Sequence, residues 1–328
     1  MDGADDGFLF GDPLVRSPRT STIVLNLVFA ALFLAGFVGV YWFGVRTVDG
    51  QRYDDLVWMS LQEAGAPAVL DSSTSPLSFA YSPLVIGASA VFALAALGIA
   101  AVRRRWWLIG QLVVFAVLCL GAAEGLKQFL PREQLDRALA NPANTLPSGH
   151  TVLATAAMMA LLLALPRVTR WVGALFGAAL SAGVGVAVIV GQWHRPSDVV
   201  ASLMLVGGIA FLVLAFTRGS GMDRVGTRKS SVPLQIVAPV MITGGVMGQL
   251  YAAYLMWQVQ PGLELKAGWA VGAAQLSAVV MIAATASLVF GLVCAMRQIS
   301  ACPLSKAGRV GEPPAPPKGA SRANAIEV

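Results

Sequence analysis

Charged residues, histidines and cysteines are all scarce in this sequence. Charged side chains make up 12% of the 328 residues, and the chain has two histidines and three cysteines. Soluble domains carry about 25% charged residues, so the composition excludes an ordinary soluble protein. Cys119, Cys294 and Cys302 are too scattered for a disulfide framework or a cysteine metal site. The polar loops also lack a tight group of Asp and Glu that would suit magnesium, so we expect no metal and no cofactor.

Long apolar runs are abundant instead. The chain is 56% hydrophobic, with a mean hydropathy of +0.70. Because apolar runs of roughly 20 residues can cross a bilayer as helices, we predict an all-α, polytopic membrane helix bundle. The candidate spans lie at about 22–45, 82–102, 106–126, 149–165, 171–191, 198–217, 233–259 and 267–296.

Composition divides the chain into five segments. A basic linker rich in Gly and Ser separates a core of six spans, which holds every chemical feature, from two additional spans. The polar N-terminus and the Pro-, Ala- and Lys-rich tail are predicted to be disordered. In order, the segments are the N-terminus 1–21, the core 22–217, the linker 218–232, the added spans 233–296 and the tail 297–328. Residues Tyr53 to Gln62, in the first long loop, are predicted as a short interfacial helix.

The net charge of +6 reflects membrane topology better than a nucleic-acid partner. Of the 23 Lys and Arg residues, 16 lie in the terminal segments and alternate loops. The positive-inside rule then places both termini in the cytoplasm of a cell that carries the protein in its plasma membrane. The remaining basic residues, on the extracytoplasmic side, are Arg46, Arg52, Lys127, Arg132, Arg137, Arg195 and Lys266. Both histidines fall on that same side.

Each histidine stands in a polar cluster where an apolar span begins. The clusters are Pro147-Ser148-Gly149-His150 and His194-Arg195-Pro196-Ser197-Asp198. Imidazole exchanges protons near neutral pH, and ionisable groups at the mouth of membrane spans are costly and usually functional. With the basic residues Lys127, Arg132 and Arg195 nearby in the sequence pattern, the two clusters predict one anion site, most naturally for phosphate.

The first cluster has the features of a helix start. The first turn of a helix presents unpaired N–H groups, and Gly149 lets the backbone approach a ligand closely. The hydroxyl of Ser148 can donate to a phosphate oxygen, or it can simply cap the helix. The sequence leaves both interpretations open.

The second cluster pairs an imidazole with a carboxylate. His194 and Asp198 are four residues apart, so a helix places them on one face. A carboxylate on one ring nitrogen fixes the tautomer and leaves the other nitrogen free as a nucleophile. The alternative is that Asp198 is only a first-turn carboxylate that complements the helix dipole.

On these residues the sequence resembles the type 2 phosphatidic acid phosphatase superfamily of integral membrane phosphatases, over roughly residues 25–217. The superfamily has three motifs: a lysine followed by an arginine, a Pro-Ser-Gly-His segment, and an arginine followed by His-x-x-x-Asp. Lys127 and Arg132 correspond to the first motif, Pro147 to His150 to the second, and His194 with Asp198 to the third.

The sequence departs from the superfamily pattern in two places. Four residues separate Lys127 from Arg132, where six are usual. The third-motif arginine, six residues before the histidine, is Val188 here. Arg195 is expected to supply the missing charge, and Arg137 is a weaker substitute for Arg132.

The resemblance implies a division of labour. His194 would attack phosphorus and form a phosphohistidine, Asp198 would orient it, and His150 would protonate the leaving oxygen. The phosphate would be held by Lys127, Arg132, Ser148, Gly149 and Arg195.

The expected activity is metal-independent hydrolysis of a lipid phosphate or diphosphate, such as a polyprenyl diphosphate or phosphatidic acid, at the extracytoplasmic face. A lipid phosphotransferase with the same site is an alternative. A catalytically idle protein that binds lipid phosphate is another, because Val188 replaces a motif arginine. The bilayer and the lipid are the expected partners, and an oligomer is possible. Gly244, Gly245 and Gly248 allow close helix contact, since Gly244 and Gly248 have the spacing of small residues that suits it.

Overall fold

The computed structural model describes residues 17–63, 82–133, 135, 144–223, 232–265 and 268–302. These residues form α-helices and one 3-10 turn, at Gly219–Gly221, and contain no strand. The helices are α1 Thr20–Arg46, α2 Val48–Glu63, α3 Ser82–Val102, α4 Trp106–Phe129, α5 Gly149–Ala164, α6 Arg170–Val190, α7 Pro196–Ala215, α8 Val232–Leu265 and α9 Gly268–Ser300.

The predicted fold class is confirmed: the protein is a multi-pass helical membrane protein. Seven of the described helices are long and apolar enough to cross a membrane, and the apolar helix α5, with 16 residues, is shorter. A lipid environment favours this architecture because a helix satisfies its backbone hydrogen bonds internally. The interfacial helix predicted at Tyr53 to Gln62 lies within α2.

The division into a core of six spans and two added spans stays a prediction. Helix α1 begins at Thr20 and α9 continues to Ser300, so each helix reaches into a terminal segment predicted to be disordered. Most of those two segments, and residues 224–231 of the predicted linker, lie outside the described residues, as does Arg137.

Helix α7 forms the centre of the bundle. Of its 18-residue apolar window, 89% is buried, and α7 contacts α1, α5 and α9. Gly208 permits the close approach of α1, because a Cβ there would lie 2.8 Å from the side chain of Leu34. Membrane helices pack through small residues of this kind, since lipid gives no hydrophobic force between them.

Helices α8 and α9 form a hairpin that packs on α6 and α7 through α9. A Cβ at Gly177 of α6 would meet the ring of Phe290 at 2.4 Å, so the ring fills the space that the glycine leaves. Within the hairpin, a Cβ at Gly245 would lie 2.9 Å from Leu288 and one at Gly248 would lie 2.8 Å from Ala284, whereas Gly244 has no neighbour within 4 Å. Residues three apart share a helix face, so Gly245 and Gly248 are the two of the three glycines that permit the close approach of α9.

A buried charge cluster closes the end of the bundle opposite the two histidines. The carboxylate of Asp223 accepts hydrogen bonds from Arg105 at 3.1 Å and from Arg170 at 3.0 Å. Arg297 donates to the carbonyl groups of Leu163 and Gly221. Burial opposes ionisation of Asp223, but the positive charges of Arg170, Arg297 and Arg105 outweigh it and lower its pKa to about 2. The cluster therefore joins α4, α6 and α9.

Replacing Asp223 with Asn should destabilise the protein by about 3–5 kcal/mol, because the buried Arg105 and Arg170 would lose their counter-charge. The unfolding midpoint of the protein in detergent measures the loss. The control is Glu133→Gln, which breaks the more exposed ion pair with Arg46 and should cost no more than about 1 kcal/mol. Equal effects of the two substitutions would contradict a structural role for the cluster.

Candidate active site

The two histidine clusters meet at one end of the bundle. The N–H of Ser148 donates to the carbonyl of Asp198 at 3.3 Å. The hydroxyl of Ser202 lies within hydrogen-bond distance of both carbonyls, 3.2 Å from that of Ser148 and 2.7 Å from that of Asp198. These bonds join the start of α5 to the first turns of α7, so the two predicted motifs form one site.

Asp198 holds the imidazole of His194. The Nδ1 atom of His194 lies 3.3 Å from Oδ2 of Asp198, whose side chain is fully buried. The same oxygen accepts the N–H of Arg195 at 3.0 Å and the hydroxyl of Thr145 at 2.6 Å. With Nδ1 turned to the carboxylate, Nε2 is the nitrogen that is left for chemistry.

The end of α6 fixes the backbone of His194. The N–H groups of Trp193 and His194 both donate to the carbonyl of Val188, at 3.0 and 3.2 Å. Gln192 adopts a left-handed conformation with φ of 57°, which turns the chain between α6 and α7. Val188 itself is fully buried in the apolar core, so this position supplies a backbone acceptor and no charge.

Ser148 caps α5, as one interpretation of the sequence expected. Its Oγ accepts the N–H of Thr151 at 3.4 Å. Gly149 lies beside the ammonium group of Lys127, since a Cβ there would come within 3.2 Å of Nζ. His150, the next residue, has its ring 5.2 Å from that of Trp193, and its charged neighbours are His194 and Lys127.

Lys127 is oriented from its own helix. Its Nζ lies 3.1 Å from Oε1 of Glu124, one turn earlier in α4. The ammonium therefore points along the end of α4 toward Gly149.

Arg132 brings a buried guanidinium to the site. Its two terminal nitrogens are buried and have no hydrogen-bond partner among the described residues. Burial and the positive charge of Arg195 lower the pKa of Arg132, while Asp54, Asp198 and Asp55 act in the opposite direction. Buried donors without partners are costly in a folded protein, so this guanidinium suits an incoming anion.

Arg195 is tied to α2. Its Nε donates to Oδ1 of Asp55 at 2.5 Å, and its guanidinium lies 5.3 Å from the ring centre of Trp58. Only 2% of the residue is exposed. Arg195 and Arg132 are electrostatic neighbours, so the structure brings together the two guanidinium groups named from the sequence.

Several residues of the site were not identified from the sequence. Thr145 binds Asp198, Trp193 faces His150, and Trp58 lies below Arg195. Two further residues, Asp54 and Asp55, come from α2. The adjacent pair of acids in a loop helix was a visible signal, but nothing in the sequence shows that α2 folds back onto the start of α7.

Asp54 caps the first turn of α7. Its Oδ1 accepts the N–H of Ser197 at 3.1 Å, and its Oδ2 pairs with the hydroxyl of Ser197. Burial raises the pKa of Asp54 to about 7, and the negative charge of Asp198 adds to the rise. The hydrogen bonds from Ser197 and the charge of Arg132 act against it.

Comparison with known families agrees with this geometry. Residues 123–221 match the model of the PAP2 superfamily, which confirms the resemblance that the motifs indicated. No curated protein and no solved structure matches the chain. The matched segment contains Lys127 and both histidine clusters, whereas α2, α8 and α9 lie outside it.

The stability of the protein should fall as the pH rises toward about 7, because folded Asp54 keeps a proton that the unfolded chain releases at the lower, ordinary pKa of an aspartate. Unfolding midpoints measured between about pH 4 and about pH 8 test this sign. The fall should be smaller in Asp54→Asn, which cannot ionise. Asp49→Asn, an exposed position on the same helix, is the control and should keep the wild-type dependence. A profile for Asp54→Asn that parallels the wild type would exclude Asp54 as the titrating group.

Proposed function

We propose that this membrane protein of the PAP2 superfamily is a metal-independent phosphatase that hydrolyses a lipid phosphate or diphosphate through a phosphohistidine. Members of the superfamily are generally phosphatases of lipid phosphates. The observation that carries the proposal is the contact between His194, which is partly exposed, and the buried Asp198, 3.3 Å apart, beside a second histidine, His150. An imidazole oriented by a carboxylate is an activated nucleophile.

The first step transfers the phosphoryl group to the protein. Nε2 of His194 attacks phosphorus as the bond from phosphorus to the leaving oxygen breaks. His150 gives its proton to that oxygen, and Asp198 stabilises the positive charge that forms on the ring of His194. In the second step water attacks phosphorus, His150 takes the proton, the bond to nitrogen breaks and phosphate leaves.

Protein groups can supply the positive charge that the phosphoryl oxygens need. Lys127 lies beside Gly149 at the start of α5, where free N–H groups and the helix dipole favour an anion. Arg132, an electrostatic neighbour of Asp198 and Arg195, adds unpaired buried donors. Among the described residues, no group of His, Cys, Asp and Glu is suited to hold a metal ion.

An apolar groove supports a lipid as the substrate. The groove, of about 320 Å³, lies between α3, α4 and α5. Its α5 wall begins at Leu153, one turn after His150, and its α4 wall ends at Leu120, two turns before Lys127. An acyl or prenyl chain in the groove would place its headgroup at the site, with about 25 cal/mol gained per Å² of apolar surface buried. The groove is lined by Ile86, Ser89, Ala90, Ala93, Leu97, Leu112, Val113, Ala116, Val117, Leu120, Leu153, Ala156, Ala157 and Ala160.

The proposed location is the plasma membrane, with both termini in the cytoplasm and the site on the extracytoplasmic face. The distribution of Lys and Arg along the sequence supports this orientation. The buried apolar position of Val188, where the superfamily has an arginine, favours one rival function: a protein that binds lipid phosphate without turning it over. A phosphotransferase would use the same phosphohistidine with a hydroxyl acceptor in place of water.

Purified protein in detergent should release phosphate from lipid phosphates in the presence of a chelator. His194→Ala should lower the rate at least about a thousand-fold, because the nucleophile is lost, and His150→Ala about a hundred-fold or more. Substrate labelled in the phosphate should leave label on the wild type after an alkaline quench and none on His194→Ala. Wild-type release by His194→Ala would overturn the nucleophile, and tight binding without turnover would favour the rival function.

Filling the groove should weaken the binding of long-chain substrates only. Ala93→Phe places a ring among the lining residues and should raise KM about ten-fold for a long-chain lipid phosphate, because the chain loses its space. The KM for a short-chain, water-soluble phosphate should not change. Ala95→Phe, on an exposed face of α3, is the matched control. Equal KM values for the two variants would exclude the groove as the chain site.

A further inference from the structure

We propose that the α8–α9 hairpin is part of the machinery that positions the phosphate-binding arginines, and that it acts by holding α2. This inference rests on the proposed function and assigns a role to two spans that lie outside the matched segment. Tyr53 and Ser277 are the positioning residues that join α9 to α2. The polar contacts run from α9 through α2 to Arg195 and Arg132.

Buried hydrogen bonds join α2 to the hairpin. The hydroxyl of Tyr53 lies 2.5 Å from Oγ of Ser277 and 3.2 Å from the carbonyl of Ala274. Tyr53 is 4% exposed and Ser277 is fully buried. Toward the end of α2, the side chain of Gln275 donates to the carbonyl of Ser60 at 2.9 Å. A polar contact in such a low-dielectric setting fixes a helix more firmly than apolar packing alone.

The two residues that follow Tyr53 in α2, Asp54 and Asp55, hold the start of α7. Asp54 binds Ser197, and Asp55 binds Arg195 at 2.5 Å. Successive residues of an α-helix are about 100° apart, so Tyr53 and Asp55 point to nearly opposite sides of α2. Helix α2 is thus held between the hairpin on one side and Arg195 on the other.

The same helix also holds the segment that carries Arg132. The amide of Gln51, which is buried, donates to the carbonyl of Glu133 at 2.7 Å and accepts the N–H of Leu135 at 3.2 Å. It donates as well to the carbonyl of Val45, at the end of α1. A shift of α2 would therefore move both guanidinium groups, whereas the contacts that join Asp198 to His194, Thr145 and Ser148 do not involve α2.

This arrangement accounts for one departure from the superfamily pattern, the valine at position 188 in place of the third-motif arginine. Val188 leaves the site without its usual cation, and Arg195 stands close by but is buried. A buried guanidinium needs a partner to hold its position, and Asp55 provides that partner only while α2 stays docked. The hairpin supplies the docking surface.

The expected consequence is a weakening of anion binding with little change in the chemical step. Tyr53→Phe removes the hydroxyl that contacts α9, and Ser277→Ala removes its partner. Each should raise the KM for a lipid phosphate about five-fold, with kcat within about two-fold of the wild type, because a lost hydrogen bond is worth about 1 kcal/mol.

Two matched controls separate positioning from general stability. Tyr254→Phe changes an exposed tyrosine of α8 that contacts Gln258 in its own helix, and Ser287→Ala removes a bond from α9 to the carbonyl of Met241 in α8. Neither control residue contacts α2 through these bonds. Both should keep the wild-type KM, even where the unfolding midpoint falls.

A second readout does not depend on turnover. Inorganic phosphate should raise the unfolding midpoint of the wild type, since it binds the folded site. The concentration needed for half of that rise should be about five-fold higher in Tyr53→Phe and Ser277→Ala than in the two controls. If the wild type binds phosphate but does not hydrolyse any lipid phosphate, only the proposed function is overturned. The role of the hairpin would be overturned if all four variants needed the same phosphate concentration for half of the rise. It would also be overturned if phosphate did not stabilise the wild type.

Discussion

The carboxylate of Asp198 is buried at the start of a membrane helix, where an ionised group is stable only if its neighbours compensate it. It is compensated by the imidazole of His194, the N–H of Arg195 and the hydroxyl of Thr145, all of which reach the same oxygen. The carbonyl of this residue also receives the N–H of Ser148. One residue thus orients the imidazole of His194 and contacts the residue that caps α5, so the geometry of both histidine clusters depends on it.

The buried charged groups at the two ends of the bundle differ in their hydrogen-bond partners. At the end opposite the histidines, Asp223 and its arginines have partners for most of their polar atoms, and the cluster joins three helices. At the histidine end, both terminal nitrogens of Arg132 and one oxygen of Asp198 are buried without a partner among the described residues. Unsatisfied buried groups lower the stability of a fold and persist at functional sites. Nε of Arg167 and Nε of Arg170 also lack partners, but among the described residues only Arg132 has both terminal nitrogens of its guanidinium unpaired.

Much of this arrangement could be predicted from local sequence patterns. Hydropathy identifies the spans because lipid leaves a chain few alternatives to a helix, and the four-residue spacing of His194 and Asp198 implies their contact. The role of α2 could not be predicted in this way. Tyr53 and Ser277 are more than 200 residues apart, and no periodicity relates them.

The substitution at Val188 and the presence of α2 at the site can be understood as one change. Val188 on α6 lies in the apolar core and supplies no charge, whereas Arg195 precedes α7 and is held from outside that helix. Asp55 holds it, Tyr53 anchors Asp55 by fixing α2, and α9 provides the surface on which Tyr53 rests. Each of these contacts is buried, so the loss of any one weakens the attachment of α2. A site that obtains its positive charge in this way depends on helices that contribute no catalytic group.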